Sequence, residues 1–130
     1  MTRPRVLVVD DHAINLDLAA FVLGVDRFEV ATAFDAESAG VQLQSFRPDL
    51  VLMDIQMPGM DGLALPRQWK SDPATRHVVI IAFTAHAMKG DEARLLAAGC
   101  DGYIAKPIEV ARFADQVLAM FYKAQGVTGL

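Results

Sequence analysis

The chain has 130 residues, a length that suits one domain with one continuous core. Apolar residues make up 53% and charged residues 22%, which excludes a disordered chain, and a net charge of −4 with no basic cluster argues against direct nucleic-acid binding. Cys100 is the only cysteine, no stretch approaches the roughly 18 apolar residues of a membrane span, and Met1-Thr2-Arg3-Pro4-Arg5 leads into too short an apolar run for a signal peptide. The expectation is a single domain over residues 1–130, cytoplasmic and without membrane insertion.

Arg5 to Val9 reads as a buried strand that runs into the acidic pair Asp10-Asp11. Ala13 to Leu23 is helical, with Ile14, Leu18, Phe21 and Val22 at spacings of three and four as its expected inner face, and Gly24 ends it. Phe28 to Ala33 is a second strand. Asp35 caps the next helix, which turns Ala36, Ala39, Leu43 and Phe46 inward and cannot continue past Pro48. Asp49 to Met53 is a third strand, and its near-continuous apolar content predicts coverage on both faces. Gln56 to Gly62 is a loop, and Leu63 to Trp69 a short helix with Pro66 in or near its first turn. His77 to Phe83 is the fourth strand, Ala87 to Ala98 a helix stopped by Gly99, Gly102 to Ala105 the fifth strand and Val110 to Tyr122 the last helix.

Strands alternating with helices in this way describe an open, mostly parallel α/β sheet. Such sheets bind ligands beyond the carboxyl ends of their strands, where the strand order reverses. Asp10, Asp11, Asp54, Thr84 and Lys106 all fall at or just after predicted strand ends, so residues from the whole length of the chain converge on one edge of the sheet.

Core packing does not ask for these carboxylates. Clustered like charges stay ionised only if a cation or a base compensates them. Oxygen ligands without a cysteine or histidine pair favour Mg²⁺, with Mn²⁺ as the alternative; His12, at the helix start near the carboxylates, and His77, at a strand beginning, have no partner at metal-ligand spacing. Asp54 has a second option, because an aspartate can accept a phosphoryl group as an acyl phosphate. Lys106, Thr84 and a cation would then neutralise the phosphoryl oxygens. Each residue also has a plainer reading: Asp10 or Asp11 as a helix cap, Asp54 as a turn former, Thr84 as an ordinary strand end, Lys106 as a solvated lysine, Cys100 as a small buried hydrophobe.

The segments Val6-Leu7-Val8-Val9-Asp10-Asp11, Leu50-Val51-Leu52-Met53-Asp54-Ile55-Gln56-Met57-Pro58-Gly59-Met60-Asp61-Gly62, Ile80-Ile81-Ala82-Phe83-Thr84-Ala85 and Tyr103-Ile104-Ala105-Lys106-Pro107 resemble, in this order and spacing, a receiver (response-regulator) domain of bacterial two-component signalling. The resemblance implies a flavodoxin-like (βα)5 fold, with a five-stranded parallel sheet in the order 2-1-3-4-5 and helices on both faces. It implies Asp54 as phosphoacceptor, Asp11 as direct Mg²⁺ ligand, Asp10 acting through water and the backbone carbonyl of Gln56 as a further ligand. Thr84 resembles the family's switch hydroxyl, Lys106 its lysine with a cis bond to Pro107, and Tyr103 its switch aromatic; a static Tyr103 with its hydroxyl on the rim is the competing reading. Gln56 and His86 occupy positions that tune dephosphorylation, though His86 also reads as a plain exposed histidine.

The run Thr84-Ala85-His86-Ala87-Met88-Lys89-Gly90-Asp91-Glu92 is similar to receivers of hybrid sensor kinases and of small single-domain cell-cycle regulators. The implied partners are a histidine kinase or histidine phosphotransfer protein upstream. A protein partner downstream would read the face built from Ala87–Ala98, Gly102–Ala105 and Val110–Tyr122. Two other functions compete with this phosphoacceptor switch. An aspartyl phosphatase usually carries a second acid two residues beyond its nucleophile, where this chain has Gln56. A constitutive interaction module would have no use for the carboxylates, Thr84 and Lys106.

Overall fold

The structure is a computed structural model that describes residues 3–24, 28–55, 64–84, 91–105 and 109–126. In chain order the elements are β1 (Arg5–Val9), α1 (Ala13–Gly24), β2 (Glu29–Ala33), α2 (Ala36–Ser45), β3 (Leu50–Asp54), α3 (Ala64–Ser71), β4 (Val79–Thr84), α4 (Asp91–Ala97), β5 (Gly102–Ala105) and α5 (Phe113–Ala124). All pairings are parallel and the order is β2-β1-β3-β4-β5, the flavodoxin-like arrangement expected.

Alternation along the strands divides the core in two. Leu7, Val9, Val51, Met53, Ile80 and Ala82 pack beneath Ala39 and Leu43 of α2, Trp69 of α3 and Leu95 of α4. Val6, Val8, Leu50, Leu52, Ile81 and Phe83 pack beneath Ala19 and Leu23 of α1 and Phe113, Val117 and Phe121 of α5. Helices therefore cover both faces, and every residue of β3 and β4 is buried. Each large apolar side chain in these central strands contributes about 1.5–3 kcal/mol by leaving water.

α1 departs from the expected orientation. Ile14, Leu18 and Phe21 are exposed by 82%, 37% and 71%, while Ala19 and Leu23 are buried and Leu16 and Val22 are partly covered. Only Asn15 and Asp17 interrupt the apolar surface of this helix, so two stripes satisfy the same spacing and the sheet takes the one with the small Ala19 at the point of contact.

The expected cap of α2 is present. Asp35 Oδ1 accepts a 2.7 Å hydrogen bond from Ser38 N, and Asp35 N donates to Ser38 Oγ at 3.2 Å, a reciprocal capping box. The bond from the Ser38 backbone, then that from its hydroxyl, holds the Asp35 carboxyl below its ordinary pKa. Pro66 is the third residue of α3, in its first turn as expected.

Several boundaries shift by one to three residues. β4 starts at Val79 rather than His77, because the Asp72 carbonyl takes hydrogen bonds from Thr75 N and Arg76 N and holds the preceding residues in turns. α5 starts at Phe113 rather than Val110, because Arg112 N and Phe113 N both donate to the Glu109 carbonyl. β3 runs one residue later than expected at both ends, from Leu50 to Asp54. The expected start of the fourth helix, 87–90, lies outside the described residues.

α4 ends in a Schellman motif: Cys100 N donates to Leu95 O and Gly99 N to Leu96 O, both at 3.0 Å, with Gly99 at φ +103°. The glycine also makes room for a neighbour. A Cβ there would lie 2.7 Å from Lys70 Cγ. The Lys70 stem passes over Gly99 so that Nζ donates to Val78 O at 2.8 Å and pairs with Asp101 Oδ2 at 3.0 Å. Asp101 Oδ2 also accepts from Ile80 N, and Asp101 N donates to Ile80 O. One lysine thus ties α3 to the start of β4 and to the loop that enters β5. Cys100 is buried beside it, which raises its thiol pKa to about 11, chiefly by desolvation and next by the Asp101 charge.

Candidate functional site

The order β2-β1-β3 makes the crossovers leave β1 and β3 toward opposite faces, which opens a crevice at the carboxyl ends of those two strands. Val9 pairs with Met53, so Asp10 follows β1 beside Asp54, the last residue of β3. Asp10 and Asp54 are 1% and 2% exposed. Neither Asp10 nor Asp11 is the cap of α1. The helix begins at Ala13, which puts His12 at the cap position, and Asp10 instead closes a turn by accepting from His12 N at 2.9 Å.

One ligand atom from each of Asp10, Asp11, His12 and Asp54 can be chosen so that all lie within 4.8 Å of one another. His12 Nδ1 stands 3.2 Å from Asp10 Oδ1 and 3.0 Å from Asp11 Oδ1. Its hydrogen bond goes to Asp10. Asp11 Oδ1 is shut off from solvent and accepts no hydrogen bond among the described residues. A carboxylate oxygen shut off from water without a hydrogen-bond donor is unfavourable, and a cation would remove that cost. The acidic cluster therefore fits a divalent metal ion.

Sequence reasoning placed His12 at the helix start near the carboxylates, as found, but gave it no ligand role for want of a partner at metal-ligand spacing. The signal it lacked was the turn that folds the imidazole back over the adjacent acidic pair.

Thr84 is the last residue of β4 and 1% exposed, and its neighbour Phe83 pairs with Asp54. Tyr103 of β5 is partly buried and packs on the α2–α3–α4 face, paired with Ala82. Alternation along β4 puts Thr84 on the same face as Ala82, so Thr84 and Tyr103 are diagonal neighbours. A groove of about 510 Å³ opens beside them between α4 and α5, with Leu95, Leu96, Tyr103, Gln116, Met120 and Lys123 in its walls. Gln56, His86, Lys106 and the Lys106–Pro107 bond lie outside the described residues. No described helix is long and apolar enough to cross a membrane.

Residues 6–118 match the response regulator receiver domain family. The chain is 39% identical over 112 residues to the polar-differentiation response regulator DivK of Brucella anthropi, covering 86% of this chain and 91% of that protein. Among solved structures, a response regulator from Chloroflexus aurantiacus superposes with a TM-score of 0.83 at 28% identity, covering 92% of this chain and 98% of that one. The receiver domain of a signal transduction histidine kinase from Syntrophus aciditrophicus gives 0.79 at 27% identity over 98% and 96% of the two chains.

Proposed function

The chain belongs to the response regulator receiver domain family, a family of phosphoacceptor modules in two-component signalling, and on that premise we propose that Asp54 is its acceptor. The observation that carries the proposal is a 2% exposed carboxylate at the end of the central strand, grouped with Asp10, Asp11 and His12. Asp11, Asp54 and the Gln56 carbonyl, with Asp10 acting through water, would hold a divalent cation (Mg²⁺, or Mn²⁺ in its place), which would supply positive charge against the phosphoryl oxygens.

The Asp54 carboxylate attacks directly as the nucleophile. The P–N bond of a phosphohistidine donor breaks, a P–O bond to Asp54 forms, and the electron pair returns to the donor imidazole. Lys106 offers an ammonium to one oxygen and Thr84 Oγ a hydrogen bond to another. Thr84 drawn toward the new anion leaves space on the face it shares with Tyr103. Inward movement of Tyr103 then reshapes the α4–β5–α5 groove for a protein partner. The resemblance assigns Gln56 and His86 the role of tuning how fast water removes the phosphoryl group. The donor is a histidine kinase or a histidine phosphotransfer protein.

The test is labelling by a phosphodonor. Wild type is expected to take up one phosphoryl group, Asp54→Asn none, and chelation or Asp11→Ala should strongly reduce uptake. Label recovered on another residue, or uptake that persists in chelator, contradicts the assignment.

A further inference from the structure

We infer that His12 is a further protein ligand of the divalent-cation site, and that its imidazole tilts the site toward nitrogen-accepting transition ions relative to Mg²⁺. The inference rests on the metal reading of the acidic cluster given above.

Geometry is the first argument. Two ligands at right angles on an octahedral ion, each about 2.1 Å from it, stand about 3.0 Å apart, and opposed ligands stand about 4.2 Å apart. His12 Nδ1 is 3.2 Å from Asp10 Oδ1 and 3.0 Å from Asp11 Oδ1, the separations of adjacent ligands. The four candidate ligand atoms span no more than 4.8 Å, so closing on an ion takes shifts of about half an ångström.

The backbone is the second. His12 N is held by Asp10 Oδ1 at 2.9 Å, and His12 O accepts from Leu16 N at 3.0 Å. The residue is pinned on both sides of its Cα, at the start of α1, with its side chain over the acidic pair. That side chain is 65% exposed, so the imidazole lies at the open side of the cluster, in reach of an arriving ion.

Chemistry gives the direction of the effect. Carboxylates and water suit hard ions such as Mg²⁺, whereas imidazole adds affinity for Co²⁺, Ni²⁺ and Zn²⁺ along the divalent series. Oxygen donors alone already follow that series, so the part assigned to His12 is the increment lost when its imidazole is removed.

The experiment is calorimetric titration of the full chain with Mg²⁺ alone and with Co²⁺ alone, for wild type, His12→Ala and Asp11→Asn. Visible absorption of bound Co²⁺ is recorded alongside. His12→Ala is expected to weaken Co²⁺ at least about tenfold, the loss that disturbing even a ligand's partner causes, and to shift the Co²⁺ band. Mg²⁺ affinity should change less than about threefold. Equal losses for both ions, an unchanged Co²⁺ affinity and spectrum, or tighter binding without His12 would each overturn the inference. So would Co²⁺ binding that survives Asp11→Asn, since the ion would then sit elsewhere. Failure of the underlying metal reading looks different: Mg²⁺ affinity is then the same in Asp11→Asn as in wild type.

Discussion

Gly99→Ala tests whether the crossing of Lys70 over the end of α4 is a coupled feature or two separate ones. The substitution has two costs. At φ +103° a side chain strains the backbone by about 1–2 kcal/mol. The new Cβ also falls 2.7 Å from Lys70 Cγ, which forces the lysine stem aside. Displacement loosens the bonds of Nζ to Val78 O and Asp101 Oδ2. Lys70 and Asp101 are 24% and 30% exposed, so solvent screening holds this second loss to about 1 kcal/mol.

The single variant should therefore lose about 2–3 kcal/mol. In a Lys70→Ala background the 2.7 Å approach to Cγ is absent, and the backbone cost of about 1–2 kcal/mol remains with the milder approaches to Lys70 Cβ at 3.3 Å and Pro66 O at 3.4 Å. Equilibrium urea unfolding of wild type, both single variants and the double variant gives the coupling, expected at about 1 kcal/mol with unchanged m values. Additive losses, or a larger cost of Gly99→Ala once Lys70 is gone, would refute the argument.

Two further expectations concern pH. The Asp35 carboxyl is held below its ordinary pKa by Ser38, so its contribution to stability is complete above the unfolded value of 3.8 and disappears as pH falls through the lower folded value. Asp35→Asn should lose less stability between neutral and acid pH than wild type, measured by urea midpoints; parallel curves would contradict the assignment. The Cys100 thiol, raised to about 11 by burial, contributes fully below the unfolded value of 9.0, and that contribution is lost as pH rises from there toward 11. Native protein should accordingly react with a disulfide reagent at pH 8 far more slowly than protein in urea, and Cys100→Ala should flatten the alkaline fall in stability. Equal reaction rates with and without urea would place the thiol in solvent.

The strands and the convergence of Asp10, Asp11 and Asp54 were legible because buried parallel strands leave short apolar runs, and a carboxylate closing such a run stands out. The Asp35 cap and the glycine after α4 were legible because each has a local chemical reason. The buried face of α1 was not. Periodicity reports that a helix has an apolar stripe, but the choice between Ile14-Leu18-Phe21 and Leu16-Ala19-Leu23 depends on which lets the helix approach the sheet closely, a property of the partner surface. The start of β4 was missed for a similar reason. Val78 continues the apolar run backwards from Val79, yet the turns set by the Asp72 and Thr75 carbonyls already hold the backbone there. His12 was undervalued because spacing rules look for a second histidine, and the partners it meets here are its own neighbours in a turn.

The burial of β3 has a mechanical consequence. A strand flanked by β1 and β4 and covered above and below opens to solvent only when the whole sheet does, so its amides should exchange at the rate of global unfolding. Asp54 is anchored to that strand like a post set in concrete. A charge added to it cannot be relieved by retreat of its own backbone, and the adjustment has to be made by the side chains and loops that surround it.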